Sequence, residues 1–199
     1  MIRLGHLSPS GPFRQYNIMR IIAGRLKGKK IKAPKGLATR PVLARVREAL
    51  FNILGDIEGL NVLDLYAGTG SIGIEALSRG AASAVFVELG SMQCRIIREN
   101  LDAIGKEAVV MCSDVMLALK RLKNDNSVFD FVFADPPYEK GLSRQTILAV
   151  CEGGILSDAG VMAVTDRYTE DVPQRAGNYD KIIDRRYGDT RLALYKGAP

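Results

Sequence analysis

The chain has 199 residues, 47% of them hydrophobic, and 28 basic against 22 acidic side chains give it a net charge of +6. That composition suits one domain with a full core. No apolar run approaches the roughly 20 residues of a membrane span, and the first residues hold no apolar stretch of signal-peptide length, so a cytoplasmic protein without membrane contact is expected.

Residues 1 to 18 show no periodicity and read as a flexible leader. His6, the only histidine, lies there, so chemistry built on imidazole is not expected. Met19-Arg20-Ile21-Ile22-Ala23-Gly24 looks like a more natural beginning. From Arg20 to Arg47 stand ten basic residues and no acid; taking those ten from 28 leaves 18 basic residues against 22 acidic, so the rest of the chain is net −4. A block this one-sided reads as a site for phosphate backbones, with Arg25, Lys27, Lys29, Lys30, Lys32 and Arg45 as the candidate contacts. Two short β-like runs, Arg20 to Gly24 and Lys29 to Ala33, predict a basic hairpin with its turn at Arg25-Leu26-Lys27-Gly28. The hairpin and the loop after it take in residues 19–41, and a larger domain fills 42–199. That domain opens on a helix from about Val42 to Leu54, with Val46, Ala49, Leu50 and Ile53 on its buried stripe and Arg45 and Arg47 off it.

Val62 to Leu77 organises the rest. A β-favouring run around Asp64 enters Gly68-x-Gly70-x-x-Gly73, and Ile72, Ala76 and Leu77 then recur at helical spacing, giving strand, tight loop and helix. Such a loop lets a ligand approach the backbone at a helix N-terminus. The glycine spacing alone also fits nicotinamide and flavin enzymes. Strands and helices then alternate as in a parallel sheet covered on both faces: strands at 84–87, 109–112, 129–134 and 161–164, helices at 91–104, 115–122 and 142–150, with Ser91 as a candidate cap. Residues 181–184 and 191–195 around Gly188-Asp189 read as a closing antiparallel hairpin. Cys94, Cys112 and Cys151 are odd in number, far apart and outside any Cys-x-x-Cys pair, so three reduced thiols and no metal site are expected.

Glu88, Asp114 and Asp135 fall at the carboxyl ends of successive strands, where open α/β sheets bind ligands. Glu88 follows Asp64 by 24 residues, a spacing that suits a carboxylate accepting two hydrogen bonds from a ribose diol. Asp135-Pro136-Pro137-Tyr138 is the most specific signal. Two prolines after a buried strand end hold the chain extended, so the Asp135 carboxylate and the Pro136 carbonyl can both accept N–H bonds from an exocyclic amine, with Tyr138 stacked on the base.

Asp64 followed by Tyr66-Ala67-Gly68-Thr69-Gly70 resembles the first motif of class I S-adenosylmethionine-dependent methyltransferases. That resemblance implies a Rossmann-like, mostly parallel α/β sheet and S-adenosyl-L-methionine as cofactor. It assigns Glu88, with Leu89 beside it, to the cofactor ribose, and Asp114 with Ser113 and Val115 to the adenine. Met19 to Gly24, Thr39-Arg40-Pro41, Arg45 to Leu54, Glu75 to Ala81 and the Asp-Pro-Pro-Tyr together resemble the bacterial small-subunit (16S) ribosomal RNA guanine-N2 methyltransferases. The likeness covers about Met19 to Lys196. It implies ribosomal RNA, within an assembling small subunit, as partner of a monomer, and adds Arg40, Phe51 and Asn52 as a wall of the cofactor pocket. Val42, Tyr66, Thr69 and Thr165-Asp166-Arg167-Tyr168 depart from the usual pattern. An adenine-N6 methyltransferase shares the Asp-Pro-Pro-Tyr chemistry. A nicotinamide oxidoreductase leaves that motif unexplained, and a non-catalytic nucleic-acid-binding module leaves the whole pocket unexplained.

Overall fold

The computed structural model describes residues 16–34, 41–138 and 141–197. Residues 1–15 of the expected leader, the loop 35–40 and Arg40 within it lie outside the described residues, while residues 16–18, expected in the flexible leader, belong to a strand.

An antiparallel hairpin of β1 (Tyr16–Arg20) and β2 (Lys30–Pro34) comes first. Its first strand lies earlier than the sequence predicts: Ile21 still bonds across to Lys29 and Gly28, but residues 22 and 23 turn to other partners. The N–H groups of Ile22 and Ala23 donate to the buried Glu75 carboxylate at 2.8 and 2.9 Å, and Ser78 Oγ donates to the Ala23 carbonyl at 2.6 Å. Buried N–H groups must find acceptors somewhere, and here a side chain outbids strand pairing. Ile21, Ile31 and Ala33 sink into the protein, Ile21 and Ile31 as part of its main core cluster.

The larger part alternates α1 (Pro41–Leu54), β3 (Asn61–Leu65), α2 (Ser71–Ser78), β4 (Ser83–Glu88), α3 (Ser91–Ile104), β5 (Val109–Cys112), α4 (Val115–Asn124), β6 (Phe129–Ala134), α5 (Leu142–Cys151) and β7 (Leu156–Arg167), and closes with β8 (Arg175–Ala176), β9 (Tyr179–Tyr187) and β10 (Thr190–Gly197). The eight-stranded sheet runs β5-β4-β3-β6-β7-β10-β9-β8, parallel from β5 to β7 and antiparallel beyond. This is the expected mostly parallel sheet with a C-terminal antiparallel hairpin. The strands are apolar on both faces because both are covered. Phe86, Phe131 and Leu192 meet α1, α2, α3 and the hairpin on one face; Val132, Met162 and Tyr195 meet α4 and α5 on the other. The chain reverses direction across the sheet at β3, which pairs with both β4 and β6, and this switch point opens a crevice at the carboxyl ends of those strands.

Three local expectations are corrected. Arg47 does not lie off the buried stripe of α1: it turns inward, its guanidinium donating to the Arg20 carbonyl at 3.2 Å, and burial lowers its pKa. Ser91 is the first residue of α3 rather than its cap, the cap position belonging to Gly90. Cys94 and Cys112 are joined as a disulfide across 18 residues of sequence; β5 pairs with β4 so that Cys112 stands opposite Glu88, and α3 starts just beyond β4, which brings the two Cα atoms to 6.0 Å. Cys151 is a buried free thiol, its pKa pushed up to about 12 by burial.

Candidate active site

The site is built where β3 ends. Tyr66 turns the chain at φ 56, a left-handed conformation uncommon for a side chain of this size, and its hydroxyl pairs with Thr146 Oγ1 on α5 at 2.9 Å. That bond accounts for the tyrosine at this position. Gly70, at φ 78, caps α2, and the turn closes through a Gly70 N–H bond to the Ala67 carbonyl at 2.7 Å. Gly73 is required by contact, since a Cβ there would fall on the ring of Phe86. Thr69 is nearly buried, its carbonyl accepting from Asn100 Nδ2 at 3.1 Å.

Glu88, at the end of β4, faces this loop. Its Oε2 accepts from the Gly68 N–H and its Oε1 from the Gly90 N–H, both at 2.8 Å, so the carboxylate is aimed by two backbone donors. Each oxygen keeps a second lone pair for a ligand hydroxyl. Leu89 beside it is 71% exposed. Asp114 caps α4, its Oδ1 accepting from the N–H groups of Met116 and Leu117 at 2.9 and 3.2 Å, with Val115 buried just after it. Ser113 donates its N–H to the Glu88 carbonyl at 3.0 Å, which ties the two strand ends together.

Asp64 lies beneath the loop, 1% exposed, its Oδ2 accepting from the Gly73 N–H at 2.9 Å. Its pKa is pushed up to about 8, chiefly by burial; the Gly73 N–H opposes this and the fields of Asp135 and Glu88 add to it. Asp64, Glu88 and Asp135 lie within electrostatic reach of one another, which makes this a poor site for a pyrophosphate and suits a positively charged organic group, whose own charge would favour the ionised form of Asp64. Among the described residues no group of three His, Cys, Asp or Glu side chains is arranged to hold a metal.

Asp135 follows β6. Its pKa is raised by burial and drawn back by a hydrogen bond from Thr165 Oγ1, only 2.5 Å from Asp135 Oδ1. Thr165 stands at the corresponding point of β7, since Ala134 and Val164 are register partners. No role was expected of it, and no local signal marks it, because its closeness to Asp135 depends on the register between β6 and β7. Pro136 is buried, Pro137 exposed, and Tyr138 half-buried with its hydroxyl 3.4 Å from Thr190 Oγ1 and the Arg167 guanidinium 5.9 Å from its ring centre.

Other expected site residues stand apart from this cluster. Phe51 is in the core beneath the Arg79 guanidinium, 4.5 Å from its ring centre, and Arg79 caps the C-terminus of α2 at the far end of the sheet. Asn52 follows it on the exposed side of α1. Both were expected from the family resemblance alone, with no local pattern in α1 to say which end of the helix meets the crevice. The basic residues are also spread. Arg25 pairs with Glu58 at 2.9 Å, Lys29 Nζ donates to the Ile104 carbonyl at 3.4 Å, and Lys32 Nζ meets Glu99 at 2.7 Å; Lys27, Lys30 and Arg45 are exposed. The hairpin turn therefore sits at the C-terminal ends of α2 and α3, about 20 Å from the strand ends by the length of α3. Clefts of about 230 and 390 Å³ lie elsewhere, one lined by Ile57, Phe131 and Val161 at the amino ends of the strands, the other between α4 and α5.

A central strand that reverses the sheet order, a glycine turn over a buried aspartate and an acidic residue ending the next strand are the frame of the class I S-adenosylmethionine-dependent methyltransferase fold. Comparison with known proteins agrees. The model of the family described as conserved hypothetical protein 95 matches residues 19–196, and the chain belongs to that family. It is 35% identical over 182 residues to the Bacillus subtilis protein YlbH, covering 89% of this chain and 98% of that one. It is 32% identical over 181 residues to ribosomal RNA small subunit methyltransferase D of Escherichia coli K12, covering 89% of each. The solved structure of the Escherichia coli protein yhhF superposes with a TM-score of 0.82 at 33% identity, over 91% of this chain and 98% of that one.

Proposed function

We propose that this protein transfers a methyl group from S-adenosyl-L-methionine to the exocyclic N2 of a guanine in small-subunit ribosomal RNA. The observation that carries the reading is the meeting of Asp135, with its carboxylate oriented by Thr165, and the Asp64 and Glu88 carboxylates around one glycine turn. The relatives named above support ribosomal RNA as the substrate class, and the Asp-Pro-Pro-Tyr supports an exocyclic amine as the acceptor.

When bound, the cofactor supplies a methyl group on a sulfonium whose sulfur keeps the bonding electrons as the methyl leaves. The chain's own residues do the rest. Glu88 accepts the ribose hydroxyls, Leu89 and Val115 flank the adenine, and Asp114, whose Oδ1 is engaged in its cap, offers Oδ2 to the adenine amino group. Asp64 and the turn from Tyr66 through Gly70 hold the positively charged methionine end beside Asp135.

Asp135 Oδ2 and the Pro136 carbonyl accept the two N–H bonds of the target amine. Its lone pair is delocalised into the ring, and those bonds favour the pyramidal nitrogen that can form a bond to carbon. As that bond forms the nitrogen becomes cationic, and one of its protons passes to Asp135, which burial makes a better base than an exposed aspartate. Tyr138 holds the base by stacking. Methyl incorporation into undermethylated small-subunit RNA by the wild-type protein and by Asp135→Asn tests the reading. Wild-type incorporation that Asp135→Asn abolishes is expected; equal incorporation by both would overturn it.

A further inference from the structure

The carboxyl ends of β6 and β7 carry two partly exposed tyrosines, and the chemistry above uses only Tyr138. The other, Tyr168, directly follows β7 and is 41% exposed. Two guanidiniums face its ring: that of Arg186 on β9 at 4.8 Å from the ring centre, and that of Arg191 on β10 at 5.1 Å. Neither arginine dangles. Arg191 is buried and donates to the carbonyls of Tyr168 and Glu170, both at 2.8 Å, while Asp184 and Asp166 lie 3.3 and 3.6 Å from its nitrogens. Arg186 Nε donates to the Gly188 carbonyl at 2.6 Å, with Asp189 3.7 Å from its other end, and more than half of the side chain stays open to water. The Tyr168 N–H in turn donates to the Asp189 carbonyl at 2.8 Å. The turn after β7 is thus held by two strands in a form that presents an aromatic ring to solvent with an arginine against it.

We propose that Tyr168 and Arg186 form a stacking platform for an unpaired nucleotide of the substrate RNA next to the methylated base, with Arg167 and Arg186 meeting its phosphates. This rests on the function proposed above. The basic hairpin turn lies at the opposite end of the sheet, so it does not hold the nucleotides entering the crevice. Arg167, whose guanidinium stands over Tyr138, and Tyr168, which packs on Arg186 and Arg191, are consecutive residues that turn to opposite faces of the sheet, so the platform adjoins the site only across the end of β7 and an RNA strand crossing that end would meet both. An exposed aromatic face with guanidiniums beside it recognises single-stranded nucleotides, whose bases have free π faces, rather than a duplex. Arg191, held by Asp166 and Asp184, acts as the positioning residue.

The test compares wild type with Tyr168→Ala, Tyr168→Leu, Tyr168→Phe and Arg186→Gln. Affinity for a single-stranded RNA oligonucleotide is read with S-adenosylhomocysteine present, beside the RNA KM and kcat, S-adenosylhomocysteine affinity and melting temperature. Tyr168→Ala and Tyr168→Leu should weaken RNA binding by about 5- to 150-fold and raise KM, Tyr168→Phe should stay within a few fold, and Arg186→Gln should weaken binding and flatten its salt dependence. Melting temperature and S-adenosylhomocysteine affinity should hold. Unchanged RNA affinity in Tyr168→Leu would overturn the platform. A wild-type protein that methylates no RNA would instead reject the function, and the oligonucleotide affinities would still report on the platform.

Discussion

Asn100 grips Lys32 by both backbone groups: Lys32 donates its N–H to Asn100 Oδ1 at 2.7 Å, and Asn100 Nδ2 donates to the Lys32 carbonyl at 3.0 Å. The same Nδ2 reaches the carbonyl of Thr69. One buried amide on α3 thus ties the basic hairpin to the glycine turn. Asn100→Ala leaves three backbone groups without that partner and should destabilise the protein by about 3 kcal/mol, with faster amide exchange at Ile31 to Ala33. Denaturant unfolding unchanged within about 0.5 kcal/mol would show that the clasp contributes nothing.

Asp135 and Thr165 set a pH dependence. Burial raises the Asp135 pKa and the Thr165 hydroxyl lowers it. The chemistry needs the ionised carboxylate, so turnover should fall as pH drops through that pKa. Thr165→Val removes the bond that favours the charged form and should move the acid limb of the kcat profile to higher pH. An acid limb at the wild-type position would detach Thr165 from the mechanism.

Much of this was legible in the residues, and the exceptions have physical causes. Gly68 to Gly73, Glu88 and Asp135 stand out because a buried strand must end before a polar residue can face a ligand, which leaves a local signature. Thr165 leaves none, because its role depends on the register between β6 and β7, distant in sequence. Phe51 enters through the family resemblance rather than through a local pattern, and nothing in the residues of α1 says which end of that helix nears the crevice. Arg47 looks like a surface cation until the Arg20 carbonyl is placed over it. Cys94 and Cys112 meet only through the pairing of β4 with β5.

Glu88→Ala should weaken S-adenosylhomocysteine binding by roughly 1 to 3 kcal/mol, through lost ribose bonds and loosened Gly68 and Gly90 N–H groups. Glu88→Gln, which keeps one acceptor oxygen, should fall between. Calorimetry that gives the wild-type affinity for both variants would remove Glu88 from the cofactor site.

Asp64 makes stability depend on pH in a direction opposite to that of a paired surface carboxylate. Its folded pKa of about 8 exceeds the ordinary 3.8, so between those values the folded state holds a proton that the unfolded chain releases. Stability should therefore decline as pH rises from about 4 to 8. Asp64→Asn, which can still accept from the Gly73 N–H, should flatten that decline; parallel curves for the two proteins would refute the assignment.

Neutralising Lys27, Lys29 and Lys30 should weaken RNA binding on every sequence alike and flatten the slope of log affinity against log salt by up to about 2, at roughly 0.7 per single-strand phosphate contact. Lys32 is left intact because its side chain pairs with Glu99. An unaltered slope would make the block a solvated face.

The most direct test of the account is the chemical identity of the product. Undermethylated small-subunit particles and their free RNA, incubated with the protein and S-adenosylmethionine and then digested to nucleosides, should yield N2-methylguanosine. N6-methyladenosine in its place, or no methylated nucleoside from either substrate, would contradict it.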